Sequence, residues 1–161
     1  MAGNLTIPMI SHLRICLAAP SDAQSISALS AVAIEHGLRQ TWTPGRVLGS
    51  IRSPTTNVAV AHDGPRLAGF GIMDYHDSHA HLALFAVAEA NRREGIGSAL
   101  LAWLEKCALT AGIETVCAEV RLENDLARHF YRARGYREDR RLAGYYQGVE
   151  DALTLEKRIR A

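Results

Sequence analysis

Val87-Ala88-Glu89-Ala90-Asn91-Arg92-Arg93-Glu94-Gly95-Ile96-Gly97-Ser98 sets a strand end, a basic turn and two close glycines directly ahead of an amphipathic helix. Glycines let main chain approach an anion without a Cβ in the way, and the first unpaired N–H groups of a helix point towards it with the positive end of the dipole. The order therefore reads as a pyrophosphate cradle, although a bare GxG also opens ordinary helices. Other nucleotide motifs fail by inspection. There is no GxxxxGK[ST], and the third glycine of GxGxxG would fall at Leu100, which excludes a P-loop and a dinucleotide fold.

Working outward, Ile96, Leu100, Trp103, Leu104 and Cys107 give the helix an apolar stripe that stops at Gly112, and Thr115 to Val120 is a β-branched strand. Upstream, strands are predicted at Val58 to His62, Leu67 to Asp74 and His81 to Val87, joined by polar turns into an antiparallel meander. Before them come a strand over Leu13 to Ala18, a helix opened by Pro20-Ser21-Asp22 and stopped by Gly37, and a helix from Thr43-Pro44 to Arg52. Downstream, a helix from Asn124 to Gly135 precedes strands near Tyr136 and over Ala152 to Ile159. The expected fold is α+β, a mixed sheet covered by helices. With 161 residues and no linker or repeat, one domain is expected, its first dozen residues loose.

Composition narrows the function. Eighteen Lys plus Arg against seventeen Asp plus Glu leave +1, too little field to hold DNA or an acidic membrane. The longest wholly apolar stretch, Leu82 to Ala88, is far short of the roughly 20 residues that cross a bilayer. Cys16, Cys107 and Cys117 are odd in number and widely spaced, which suits a reducing, cytoplasmic compartment. His76, Asp77, His79 and His81 form a metal-like cluster that a polar turn and strand edge explain equally well, so no metal is expected. Oligomeric state stays open between monomer and homodimer.

Arg92-x-x-Gly95-x-Gly97 after a strand, then Asn124-x-x-Ala127-x-x-Phe130-Tyr131-x-x-x-Gly135-Tyr136, resembles the GCN5-related N-acetyltransferase (GNAT) superfamily. Within it, Glu119-Val120-Arg121-x-x-Asn124, Tyr131, Tyr145-Tyr146 and Glu150-Asp151-Ala152 are similar to the RimI-type ribosomal-protein-alanine N-acetyltransferases. The resemblance implies a central, mostly antiparallel sheet flanked by helices, and acetyl-CoA as acyl donor. Its cradle would be Phe85, Ala86, Val87, Arg92, Arg93, Glu94, Gly95, Ile96, Gly97 and Ser98, with Asn124, Ala127 and Tyr131 along the pantetheine arm. Glu94 stands where the family usually has Lys or Arg, and Glu89 replaces a frequent Pro.

The resemblance also implies roles. Glu119 matches the general base and Tyr131 the general acid for transfer to a primary amine, with a protein or peptide α-amine as the leading acceptor. A small-molecule amine or aminoglycoside acetyltransferase and a non-catalytic acyl-CoA sensor are the alternatives. The residues agree in part. Asn124 and Tyr131, seven apart, fall within about 20° of one helical line, and Glu119 shares a strand face with Cys117 and Arg121. Read without the family, Glu119 is an edge-strand carboxylate paired with Arg121 or another surface cation, and Tyr131 a core aromatic. Cys117 offers a route through an acetyl-cysteine, ranked below direct attack in a ternary complex because no His is near it in sequence to activate it. His81 is a further candidate for proton transfer. Glu35, Trp42, Tyr145 and Tyr146 are expected to border the acceptor, the last two from a loop.

Overall fold

The computed structural model describes residues 13–161; the expected looseness of residues 1–12 lies outside the described residues. The elements run β1 (Leu13–Leu17), α1 (Ala23–Ala33), α2 (Pro44–Arg52), β2 (Thr56–Asp63), β3 (Arg66–Tyr75), β4 (His79–Val87), α3 (Ile96–Thr110), β5 (Thr115–Arg121), α4 (Asp125–Ala133), β6 (Arg137–Tyr146) and β7 (Glu150–Arg158). They build one sheet in the order β1-β2-β3-β4-β5-β7-β6. Every neighbouring pair is antiparallel except β4 and β5. The α+β sheet flanked by helices is the expected architecture.

Local chemistry sets most boundaries. Thr43 caps α2, its Oγ1 accepting the Arg46 N–H at 3.2 Å, with Pro44 at the first helical position. Asn124 caps α4 by accepting the Ala127 N–H at 3.1 Å. α1 stops earlier than Gly37 suggests, at Ala33, and Gly37 occupies the turn beyond it with φ +75°.

The sheet is buried on both faces. On one, Ile26 of α1 and Val47 of α2 meet Val58, Val60, Phe70, Ile72, Leu84 and Ala86. On the other, Leu100, Leu101 and Leu104 of α3 meet Leu82, Val116, Ala118 and Val120. α3 lies close because β3 carries Gly69 and Gly71 beneath it. A Cβ on Gly69 would fall 2.9 Å from the Ala86 carbonyl and 3.5 Å from Leu100, and one on Gly71 would strike the Leu104 side chain.

One bulge shapes the site. Ile72 pairs with Leu84 and its neighbour Met73 with Leu82, so Ala83 is an extra residue in β4. Paired residues share a face, so the bulge reverses the alternation: Ala80 and Leu82 join the α3 core, whereas Leu84 and Ala86 join the α1 and α2 core. His81 accordingly faces the opposite side from Leu82, and Phe85 turns towards α3.

The structure corrects one expectation outright. Tyr145 and Tyr146 are not in a loop; they end strand β6, and the basic run Arg137 to Arg141 is its first half. Alternation there puts exposed polar residues on one face of an edge strand, a pattern that from sequence alone resembles a solvated turn.

Candidate active site

β4 and β5 pair only from His79 with Thr115 to Leu82 with Ala118. Beyond the Ala83 bulge the two parallel strands part, β5 continuing against β7 to Arg121 while β4 leads into the Glu89 to Gly95 turn. The gap opens into a cleft of about 960 Å³. Its walls include Phe85, Ala86, Val87, Arg92, Arg93, Gly95, Ile96, Gly97, Ser98, Asn124, Ala127 and Tyr131, so nearly the whole expected cradle is brought together. Glu94 is the exception: it is exposed and absent from the wall.

Arg93 and Gly95 both take left-handed backbone, φ +67° and +79°, which curls successive N–H groups into a concave nest at the start of α3. For Gly95 that conformation explains the residue, since a Cβ there would meet nothing within 4 Å. Gly97 has a different reason. Its missing Cβ leaves room for the Phe130 ring, whose atoms would lie at 3.1 and 3.3 Å. Asn91 is buried and donates to Asp63 at 3.3 Å, tying the turn to β2.

Arg134 enters the site without having been expected there. Its Nε donates to Ser98 Oγ at 2.6 Å, its Nη1 to the Phe130 carbonyl at 2.9 Å, and its guanidinium stacks 3.9 Å over the Phe130 ring. The charge thus sits beside the third residue of α3, in the cleft wall. Positions 124, 127, 131 and 134 follow an i, i+3, i+7, i+10 spacing, the signal that was available in the sequence.

Glu119 and His81 meet across the parallel strands, with Glu119 Oε2 and His81 Nε2 2.5 Å apart. Glu119 does not pair with Arg121; Arg121 binds Glu150 instead, at 3.0 Å. The hydrogen bond to Glu119 raises the His81 pKa, against the opposing effect of burial. Tyr131 is buried among Phe85, Phe130 and Tyr136. Burial, then Tyr146 and Glu119, push its phenol far above the ordinary value, so it is a protonated donor at neutral pH. Cys117 is raised by burial, Glu156 and Glu119, which disfavours the thiolate an acetyl-cysteine route needs.

The four expected acceptor contacts divide. Tyr145 and Tyr146 stack edge to face, centroids 4.9 Å apart, and the Glu119 charge acts on both phenols, although neither ring lines the cleft. Glu35 does not face the cleft. Its buried carboxylate accepts from Thr41 N, Thr41 Oγ1 and Trp42 N at 2.7, 2.8 and 3.1 Å, organising the α1–α2 connection. Trp42 packs on the α1 and α2 core beneath Arg46, whose guanidinium lies 3.7 Å from the ring centroid. His79 stacks on His76 rather than joining His81, and among the described residues no three His, Cys, Asp or Glu gather as metal ligands.

Comparison with known proteins adds an independent line. A family model described as an acetyltransferase (GNAT) domain matches residues 54–138, just over half of the chain. An uncharacterized N-acetyltransferase of Methanocaldococcus jannaschii is 38% identical over 102 residues, 62% of this chain and 64% of that protein. An N-terminal acetyltransferase complex ARD1 subunit homolog of Leishmania donovani is 31% identical over 117 residues, 66% and 61% of the two chains. The chain spans less than two thirds of the length of these relatives. The crystal structure of the ribosomal-protein-S18-alanine N-acetyltransferase from Escherichia coli shares the fold, with a TM-score of 0.80 at 24% identity over 92% of this chain and 95% of that one.

Proposed function

The chain belongs to the GNAT acetyltransferase family, and from that premise we propose that it moves an acetyl group from acetyl-CoA to a primary amine, with a protein or peptide α-amine as acceptor. The observation that carries the reading is a cleft walled by the turn before α3 and by a buried, protonated Tyr131, with the Glu119 carboxylate, paired with His81, near enough for its charge to act on that phenol. The cleft residues fit the donor: left-handed backbone at Arg93 and Gly95 and the Arg134 charge suit its phosphates, and the gap between β4 and β5 suits its extended arm.

Acetyl-CoA supplies an activated acetyl thioester. Glu119, with His81 bonded to it, receives the proton that the amine gives up as its nitrogen bonds to the acetyl carbon. Tyr131 donates its phenolic proton to the sulfur as the C–S bond breaks, and solvent restores it. Both are general acid–base roles, each of which contributes typically about 10²–10⁴-fold. An α-amine, with a pKa of about 7.7–8.0 against about 10.4 for lysine, needs the weaker base. The Leishmania relative, named for an N-terminal acetyltransferase complex, supports that acceptor. A cytoplasmic address fits the three free cysteines.

An acceptor screen tests the reading. N-terminal peptides, polyamines and amino sugars are offered with acetyl-CoA, and CoA release is followed. Preference for peptide α-amines is expected; preference for amino sugars would move the chain to the small-molecule class, and binding without transfer to any amine would make it a sensor.

A further inference from the structure

We propose that Arg121 is the positioning residue of the acceptor side, a largely covered guanidinium that fastens the α1–α2 connection to the β6–β7 hairpin. The inference rests on the functional reading only in treating those two segments as the acceptor's walls. Arg121 ends β5 two residues after Glu119, on the same strand face, and its side chain is 11% exposed. Nη2 donates to the Ile34 carbonyl at 2.7 Å and the His36 carbonyl at 2.8 Å. These lie just past the end of α1, where carbonyls lack helical partners and a cation is favoured. Nη1 meets Glu150 at 3.0 Å, at the foot of the hairpin. The guanidinium also approaches the Tyr146 ring, 5.8 Å from its centroid.

A second fastening lies at the hairpin tip. Gln147 holds φ +56°, a conformation that a residue with a side chain adopts at a cost. In it, the side-chain amide grips Arg39 from both sides: Arg39 N donates to Gln147 Oε1 at 3.0 Å, and Gln147 Nε2 donates to the Arg39 carbonyl at 2.7 Å. Main chain of the α1–α2 connection is thus held by Arg121 of β5 at residues 34 and 36 and by Gln147 of the hairpin at residue 39. Arg121 Nε is buried with no hydrogen-bond partner among the described residues. An unmet donor is unfavourable, so the other bonds of this side chain fix its place. Lysine cannot replace it, because one ammonium lacks the planar fork that reaches two carbonyls and a carboxylate together.

The experiment compares wild type, Arg121→Lys and Gln147→Asn, the last keeping a residue that tolerates left-handed backbone while shortening its reach. In ligand-free Arg121→Lys, amide hydrogen exchange is expected to quicken about tenfold in residues 34–42 and 144–150 together, with the rest of the sheet unchanged. Arg121, His36 and Glu150 also line the cleft, so with acetyl-CoA and an N-terminal peptide the KM for peptide should rise about tenfold, well beyond any rise in the acetyl-CoA Kd, while kcat holds. Gln147→Asn should loosen residues 38–40 and the hairpin tip alone. Unchanged exchange in either wall of Arg121→Lys overturns the proposal, as does a loss of acetyl-CoA affinity equal to the rise in peptide KM. If wild type acetylates no amine, the functional reading fails and the exchange result still decides whether Arg121 fastens the walls.

Discussion

His81 and Glu119, on neighbouring parallel strands, hold each other at 2.5 Å between Nε2 and Oε2. Residue 81 is paired in register with residue 117, so the contact runs diagonally along one face of the sheet, within reach of long side chains. Glu119 is thereby held by an imidazole on the neighbouring strand and is not a free edge carboxylate.

The pH profile follows from that pair. A base must be unprotonated to accept the amine's proton, so kcat is expected to rise with pH through the His81 pKa, which the hydrogen bond to Glu119 raises. His81→Gln should move this limb to lower pH and reduce kcat about 10–100-fold, within the range for a lost acid–base partner. Stability has the opposite sign. A raised His81 pKa stabilises the fold below the unfolded value of about 6.5, and this part is lost as pH climbs through the folded value. Thermal melts of the two proteins across that window should therefore converge as pH rises.

Tyr131→Phe should lower kcat about 10²-fold or more and leave acetyl-CoA affinity within about twofold, since the ring keeps its contacts with Phe85, Phe130 and Tyr136. Stopped-flow detection of free thiol checks it; unaltered thiol release would take the proton-donor role from Tyr131.

The two glycines of the turn should fail differently. Gly97→Ala forces its Cβ against Phe130, and such overpacking costs about 1–3 kcal/mol. Gly95→Ala meets open space and instead puts a side chain into left-handed backbone, costing about 1–2 kcal/mol. Denaturant titration is expected to show both losses. A Phe130→Leu background should relieve only the first, because it removes the obstructing ring atoms.

Arg134→Gln should weaken CoA binding about tenfold at low salt, in line with a lost charge-assisted contact. Calorimetry with CoA, 3′-dephospho-CoA and phosphate-free pantetheine separates the causes. If the pyrophosphate is the partner, CoA and dephospho-CoA weaken alike; if the 3′-phosphate is, only CoA does. An equal loss for pantetheine would mean that Arg134 merely braces Ser98 and Phe130.

Much of the site was legible because motif residues adjacent in sequence are also adjacent in space. The turn from Val87 to Ser98 has its own backbone chemistry, and Asn124, Ala127 and Tyr131 share a helix face by periodicity alone. Glu35 was misplaced for the converse reason. A Glu in a connection reads as available, and only the structure shows its carboxylate accepting three bonds from Thr41 and Trp42. Tyr145 and Tyr146 were expected in a loop and end a strand, because alternating exposure along an edge strand looks like a solvated turn.

Sequence by itself determined the order of elements, the nest at the head of α3 and the family, because caps, glycines and apolar periods act within a few residues of their own positions. Tertiary structure alone decided that β4 carries an extra residue at Ala83, that the register of β4 on β5 sets His81 on the face of Glu119, and that Arg121 joins two walls more than 80 residues apart in the chain. A bulge is a property of register between two strands, and a guanidinium chooses its carbonyls only after both segments have docked. Neither leaves a local trace in the residues that make it.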